Sequence, residues 1–437
     1  MLTMANTYQE CLKKIYQLGR FGIKLELDTI GNILQALGHP EKKFFTVHVA
    51  GTNGKGSTAT YIAAILQAAG FKTGIYTSPH LVTFNERICV NGQMISNADV
   101  VTAYEAVIAA DTGKRNATFF EIATAMAFDY FARQQVDWAV IETGMGGRFD
   151  ATNIIVPQVS VITNLSIEHT EYLGGTIRSL ANEKGGIIKQ NIPVVTSVTQ
   201  PSGIGMLKTI AREKSAALYR FRHDFFTRKN PGRSTLTYRG LHLHIPNLTI
   251  PLPGDHQKEN VSLALAACEL IFDQNSKTDP RYALTPALAK KGLGTARWPG
   301  RLEIVRQNPL VILDGAHNRK AAQVLGKYLS TTLAEKKITL VVGILDDKPY
   351  EAMLTYLLPA AHRVIITRAK TDRSLPTQVL TAAAKKYFTG RILVKEDVAE
   401  AVSLAISNSS EEDAVCIAGS LYVAGEAKEK FDMDFIS

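Results

Sequence analysis

Most features that would place a chain in a special class are scarce here. There are four cysteines, Cys11, Cys89, Cys268 and Cys416. No two stand at metal-ligand or redox spacing, which excludes a disulfide scaffold and a zinc or dithiol motif, and points to a reducing compartment. No apolar run reaches the roughly 18 residues of a membrane span. The most apolar helical candidate, residues 261–272, is short and carries Ser262 and Glu269. The N-terminus, MLTMANTYQECLKKIYQLGRFG, lacks the apolar core of a signal peptide. Its Leu12, Ile15, Tyr16 and Leu18 suggest an amphipathic surface helix instead. Sixteen prolines and 32 glycines in 437 residues are too few for a disordered or fibrous chain. No basic run interleaved with aromatics and no nucleic-acid module is found. The net charge of +9 is therefore read as favouring small anionic ligands. The expectation is a cytoplasmic monomer of two or three domains, with no nucleic-acid or membrane partner.

What the chain does have is organised around residues 44–70, FFTVHVAGTNGKGSTATYIAAILQAAG. An apolar run breaks into a glycine-rich turn with one lysine, then two hydroxyls, then an alanine-rich helical pattern ending at Gly70. This is the order strand, phosphate loop, helix. Gly51, Gly54 and Gly56 allow close backbone approach and positive φ, and helix-start amides then face an anion. Thr52 and Asn53 complete the turn. Lys55 is placed to reach terminal phosphates, and Ser57 or Thr58 to hold Mg²⁺. The spacing departs from the common G-x-x-x-x-G-K-[ST] form, because Gly56 stands between Lys55 and Ser57.

Downstream, strands and helices alternate. Strands are predicted at 73–76, 138–141, 159–163 and 193–197, with helices at 98–110, 118–134 and 179–189. Residues 77–92, TSPHLVTFNERICVNG, read as a polar functional loop closing on the Asn91-Gly92 turn signal. Residues 220–251 switch to β-hairpin alternation. Their six basic residues, Arg220, Arg222, Arg228, Lys229, Arg233 and Arg239, read as a solvated face or as contacts for an acidic ligand. A boundary falls near 296–300, and α/β alternation then restarts, with strands at 310–314, 338–344, 363–368, 391–395 and 414–418. The fold class is α/β: a doubly wound, mostly parallel phosphate-loop sheet with appended β-hairpins over residues 1–296. A smaller Rossmann-like α/β domain follows over 297–437.

Polar residues at strand ends carry the chemistry. Glu142 opens ETGMGGRFDATN, and His169 lies in ITNLSIEHTEYLG. At the carboxyl edge of a parallel sheet both share a crevice with the phosphate loop. Each could ligate a metal; Glu142 could equally be a cap or ion-pair partner, and His169 structural. Lys184, in NEKGGIIK, reads by itself as a solvated helix residue. Asp314, in LDGAHN, ends a strand at a good ligand-contact position. Arg301 suits a bidentate phosphate contact or an ion pair. No nucleophilic triad or cysteine nucleophile stands out, and phosphoryl transfer needs none.

Taken together, GTNGKGST, TSPHLVTFNERI, ETGMGGRFDATN, ITNLSIEH, NEKGGIIK, GDHQKEN, WPGRLE, LDGAHN and GSLY resemble, in order and spacing, the folylpolyglutamate and dihydrofolate synthases of the Mur ligase superfamily. The likeness covers about residues 8–430. It implies that ATP phosphorylates a carboxylate, and that the amine of L-glutamate attacks the acyl phosphate. The substrate would be a folate, or dihydropteroate as the alternative, with Mg²⁺ required. By the same resemblance Gly51–Thr58 and Lys55 hold ATP phosphates, and Asn260 and Asp314 hold base and ribose. Ser57, Ser78, Glu142 and His169 are metal ligands. Lys184 is a carbamylated catalytic lysine, and Arg301 and His317 are phosphate-side contacts. Pro79, His80, Phe84, Thr118, Phe120 and Glu121 are expected to contact the pterin substrate. Both domains are expected to serve one cleft.

Overall fold

The computed structural model describes residues 4–18, 26–111, 115–167 and 173–434. The chain forms two compact units, Met1–Pro251 with Gln257–Arg297, and Leu252–His256 with Trp298–Ser437. The pentapeptide 252–256 thus belongs with the second unit.

Among the described residues of the first unit eight strands make one sheet. They are β1 (Phe45–Ala50), β2 (Thr73–Tyr76), β3 (Ile88–Val90), β4 (Gln93–Met94), β5 (Trp138–Glu142), β6 (Val159–Ile162), β7 (Val194–Thr196) and β8 (Leu218–Arg220). Their order is β4-β3-β2-β5-β1-β6-β7-β8. The six strands from β2 to β8 in that order pair in parallel, and β3 and β4 form an antiparallel edge. Every residue of β1 after Phe45 is buried, as a strand covered on both faces requires. The helix Lys55–Ala68 runs beside β2 and β5 and is itself covered by the helices Gln257–Asn275 and Pro286–Thr295. Gly292 makes that packing close: a Cβ there would lie 2.7 Å from Ile65 Cα. Helices Asp28–Ala36, Asn97–Ala110 and Phe119–Arg133 share a second core with Tyr76, Ala139 and Ile141.

Two local expectations need correction. Residues 77–92 are not all loop, because β3 and β4 form a short hairpin turned by Asn91 (φ 49°) and Gly92 (φ 77°). The hairpins after residue 220 do not extend the main sheet beyond β8. They form a separate antiparallel sheet, β9 (Phe226–Lys229), β10 (Leu236–Arg239) and β11 (His244–Leu248), in the order β11-β10-β9. That sheet is fastened to the helix Gln257–Asn275 by the buried Glu269. Its carboxylate accepts from Tyr238 Oη at 2.6 Å and from the amides of Leu241, His242 and Leu243.

The second unit holds β12 (Glu303–Arg306), β13 (Leu310–Leu313), β14 (Ile338–Val342), β15 (Arg363–Ile366), β16 (Arg391–Val394) and β17 (Ala414–Ala418), in the order β12-β13-β17-β14-β15-β16. All neighbours are parallel except β12 and β13. Helices Arg319–Thr332, Tyr350–Leu357 and Thr377–Lys385 share one apolar core. Val398–Ser407 and Leu421–Asp434 share another.

Candidate active site

The glycine-rich turn follows β1, the strand flanked by β5 and β6. Gly51 (φ 144°) and Gly54 (φ 85°) take conformations that disfavour side chains. They are also crowded: a Cβ at Gly51 would lie 1.8 Å from Thr163 Oγ1, and one at Gly54 would lie 2.3 Å from Asn260 Oδ1. The turn is wired to the end of β6. Asn53 N donates to Asn164 Oδ1 at 3.1 Å, and Thr163 Oγ1 and Asn164 Nδ2 donate to Asn53 O at 2.8 and 2.9 Å. Thr52 N donates to Asn164 O at 2.8 Å. The helix Lys55–Ala68 starts at Gly54 with no side-chain cap among the described residues. Its first amides, at Lys55, Gly56 and Ser57, are therefore open to an external anion. Ser57 and Thr58 are buried, and Ser57 Oγ lies 3.5 Å from Gln257 Nε2. Asn260 donates to Gln257 Oε1 at 3.0 Å, so two residues of the Gln257–Asn275 helix brace the loop.

Glu142 ends β5 opposite Val49. Its carboxylate is 3.8 Å from Lys55 Nζ and accepts from Ser78 N at 3.2 Å. Lys184 ends the helix Ile177–Lys184, is buried, and donates from Nζ to Gly51 O at 3.0 Å. Three segments thus converge: the phosphate loop, Ser78 after β2 and Glu142 at the end of β5, with Lys184 hydrogen-bonded to the phosphate loop at Gly51. His169 lies outside the described residues. The oxygen donors here, a buried carboxylate and the Ser57 hydroxyl, suit Mg²⁺. Among the described residues no three His, Cys, Asp or Glu side chains gather to hold a metal. A cation bound here would complete its shell with phosphate oxygens and water, the usual arrangement for Mg²⁺.

Aromatic groups adjoin Ser78. Phe119 stacks on Tyr16 (centroids 5.9 Å) and meets Phe84 edge-on, while Phe120 lies against Tyr76. His80 faces Phe84. Arg87 sits over the Phe119 ring, and its Nε donates to His80 Nδ1 at 2.8 Å. Burial and that guanidinium hold the His80 imidazole down to about 3. Glu86 accepts from the amides of Leu81, Val82 and Thr83, each at 2.7 Å, which fixes the loop. Pro79 is exposed. Thr118 and Glu121 have another occupation. They form the capping box of the helix Phe119–Arg133, and both Glu121 oxygens bind Arg115.

In the second unit Asp314 follows β13. Its oxygens accept from Leu302 N and Ala316 N, both at 2.9 Å, which ties the segment after Gly300 to the strand end. Burial raises its pKa, partly offset by Arg301. The Arg301 guanidinium lies over Gly315, where a Cβ would come within 2.6 Å of Nη1. His317 Nδ1 donates to Gly315 O at 2.8 Å. His256, pushed down to about 4 by burial and by Arg301, borders the same cluster.

Residues 49–268 match the Mur ligase middle domain, and residues 300–421 match the Mur ligase glutamate ligase domain. The dihydrofolate synthase/folylpolyglutamate synthase of Bacillus subtilis (strain 168) is 36% identical over 440 residues, covering 98% of this chain and 100% of that protein. The chain belongs to the folylpolyglutamate and dihydrofolate synthase family of Mur ligases. Within this family, the folylpolyglutamate synthase of Lacticaseibacillus casei is 35% identical over 432 residues, covering 97% of this chain and 98% of its own. The Mycobacterium tuberculosis folylpolyglutamate synthase complexed with ADP superposes with a TM-score of 0.89 at 31% identity, covering 98% of this chain and 99% of that one.

The sequence assigns no site role to Tyr16, Thr163, Asn164, Gln257 or His256. Tyr16 looked like one more apolar position of a surface helix. Arg87 and Phe119 fall inside the two segments expected to contact the pterin, 77–87 and 118–121, and the density of polar residues at 85–87 was the signal for the first.

Proposed function

We propose that the protein adds L-glutamate to the γ-carboxylate of folates, using ATP and Mg²⁺. The observation that carries this reading is the uncapped helix start at Gly54, set against the Lys55–Glu142 pair and the buried Lys184. A folate carboxylate oxygen attacks the γ-phosphorus of ATP, the bond to the β-phosphate oxygen breaks, and ADP leaves. The glutamate nitrogen then attacks the acyl carbon and loses a proton, and phosphate departs with the C–O bonding pair. The open amides and Lys55 hold the phosphates, and Lys55 exchanges Glu142 for a phosphate oxygen. Bound Mg²⁺ neutralises phosphate charge; Ser57, Glu142, Ser78 and His169 are its proposed neighbours. Lys184 as a carbamate would keep one N–H for Gly51 O while placing a carboxylate in the site. Asn260 and Asp314 are assigned to base and ribose, and Arg301 and His317 to phosphate. His80 and Phe120, with Tyr16 and Phe119, supply flat apolar surface for a pterin, whereas Phe84, expected to touch it, is wholly buried and packs behind them.

Addition of glutamate to dihydropteroate as well is favoured by His80 following Pro79 together with the GGRFDATN segment, and the Bacillus subtilis relative carries both names. Purified protein is given ATP, Mg²⁺, L-glutamate and either tetrahydrofolate or dihydropteroate, with phosphate release and product mass as readouts. Phosphate release that needs both glutamate and a folate supports ligation. Release without them would instead indicate a nucleotide switch, and no product from dihydropteroate would leave the polyglutamylating activity alone. The enzyme is proposed to act as a monomer, which sedimentation checks. No helix among the described residues is long and apolar enough to cross a membrane.

A further inference from the structure

A buried polar chain runs beneath the site. His48 stands in the middle of β1 and is wholly buried. Its Nε2 is 2.8 Å from Thr152 Oγ1. The Thr152 hydroxyl donates to Asp150 Oδ1, which also accepts from Thr152 N at 3.1 Å. Asp150 Oδ2 accepts from Met145 N at 2.8 Å.

With Asp150 as a carboxylate, which burial disfavours but the amides of Thr152 and Met145 favour, proton counting fixes the direction of this chain. Thr152 has one hydroxyl proton, and it is spent on Asp150. Thr152 Oγ1 therefore accepts from His48, which must carry its proton on Nε2. Burial and the charge of Lys189 hold the ring neutral. Nδ1 is then a bare acceptor, and it is buried without a hydrogen-bond partner among the described residues. An orphan acceptor in a central strand is a cost that phenylalanine or leucine would not carry. The compensating gain must come from the Nε2–H end.

That end leads to the loop joining Glu142 to Asp150. The loop touches three parts of the site within a few residues. Glu142 precedes it directly. A Cβ on Gly144 would lie 2.5 Å from the Phe120 ring, and one on Gly147 would lie 2.9 Å from the carbonyls of Glu183 and Lys184. Arg148 N donates to Glu183 O at 2.8 Å. With so little clearance, any drift of the loop moves Glu142, Phe120 and the Lys184 backbone together.

We infer that His48 is a positioning residue: acting through Thr152 and Asp150, it holds the 144–150 loop so that Glu142 is set for the Mg²⁺–nucleotide. The inference rests on the role of Glu142 proposed above. His48→Phe and Thr152→Val each remove one link while keeping shape. His48→Gln keeps an N–H where Nε2 stands, and Thr152→Ser keeps the hydroxyl. Two readouts are taken on the full chain: amide hydrogen exchange of the 143–150 peptide without ligands, and the Mg²⁺ concentration giving half-maximal ATP turnover. His48→Phe and Thr152→Val should each speed exchange at least tenfold and raise the Mg²⁺ requirement five- to tenfold. The double variant should be no worse than either single one. His48→Gln and Thr152→Ser should behave like the parent. Unchanged exchange, an unchanged Mg²⁺ requirement or additive effects would overturn the inference. If His48→Phe does not fold, the two Thr152 variants decide. Glu142→Gln is run alongside: a parental Mg²⁺ requirement in that variant would reject the role of Glu142, while the exchange data still judge the link from His48 to the loop.

Discussion

Replacing Gly54 with alanine tests the phosphate loop at its tightest point. At φ 85° an L-residue costs about 1–2 kcal/mol. The new methyl would also lie 2.3 Å from Asn260 Oδ1. Asn260 is buried and bonded to Gln257 at 3.0 Å, so it cannot turn away without losing that bond, worth about 1 kcal/mol. The total is about 2–3 kcal/mol. It can be expressed in two ways. If the loop keeps its shape, the first unit melts lower, by about 2–3 °C per kcal/mol at this size. If the loop relaxes, melting changes little, but nucleotide binding must restore the strained form and weakens by roughly 30- to 150-fold. The sum of the two losses is the fixed quantity. Thermal melting and ADP titration on Gly54→Ala measure both. In Gly54→Ala/Asn260→Ala, compared with Asn260→Ala, only the φ cost of about 1–2 kcal/mol should remain. Melting and binding both within about 0.5 kcal/mol of the parent, the size of a neutral surface change, would refute the reasoning.

Glu142→Gln keeps shape but removes the charge facing Lys55; kcat/KM for ATP should fall at least about a hundredfold, roughly 2.7 kcal/mol, with little change in melting. For Lys184→Ala, turnover should be lost and partly restored by small carboxylates such as acetate, and the parent protein should lose activity in buffer stripped of carbon dioxide; no rescue in the first test and full activity in the second would leave the lysine uncarbamylated. His48 gives a pH signature. Its imidazole is held down to about 3 by burial and Lys189, so below about pH 6.5 the unfolded chain binds a proton that the native chain does not. Stability therefore falls as pH drops, by up to about 1.4 kcal/mol per unit from this group. His48→Phe should gain on the parent between pH 6.5 and 4.5 in urea unfolding, and parallel curves would exclude the effect.

The residues that were legible in sequence act close to where they stand in the chain. Gly51, Gly54 and Lys55 declare themselves through local spacing, and Glu142 through its place after an apolar run. The short strand β3 could not be read, since three residues among polar neighbours show no period. The same holds for β12, four residues beside a linker. The helix Pro201–Glu213 was hidden by two glycines near its start, although Pro201 suits a first turn. His48 sits inside FTVHVA, which reads simply as an apolar run. Its partner Thr152 is 104 residues away, and no local pattern carries that information. Glu269 was equally opaque: within an apolar helix it reads as an interruption, and only the fold shows the hairpin amides that it satisfies.

That carboxylate bears on how the protein can be dissected. The middle-domain match ends at residue 268, one position before Glu269. A truncation made at that limit would strip the β9–β11 sheet of its anchor and leave the Tyr238 hydroxyl and three hairpin amides without their acceptor. It would also remove Tyr282, which accepts from Trp138 Nε1 at 3.0 Å, and the Pro286–Thr295 helix that shields Ala64 and Ile65. The family match therefore delimits a segment smaller than the compact first unit, and an excised nucleotide-binding half should be cut no earlier than Arg297.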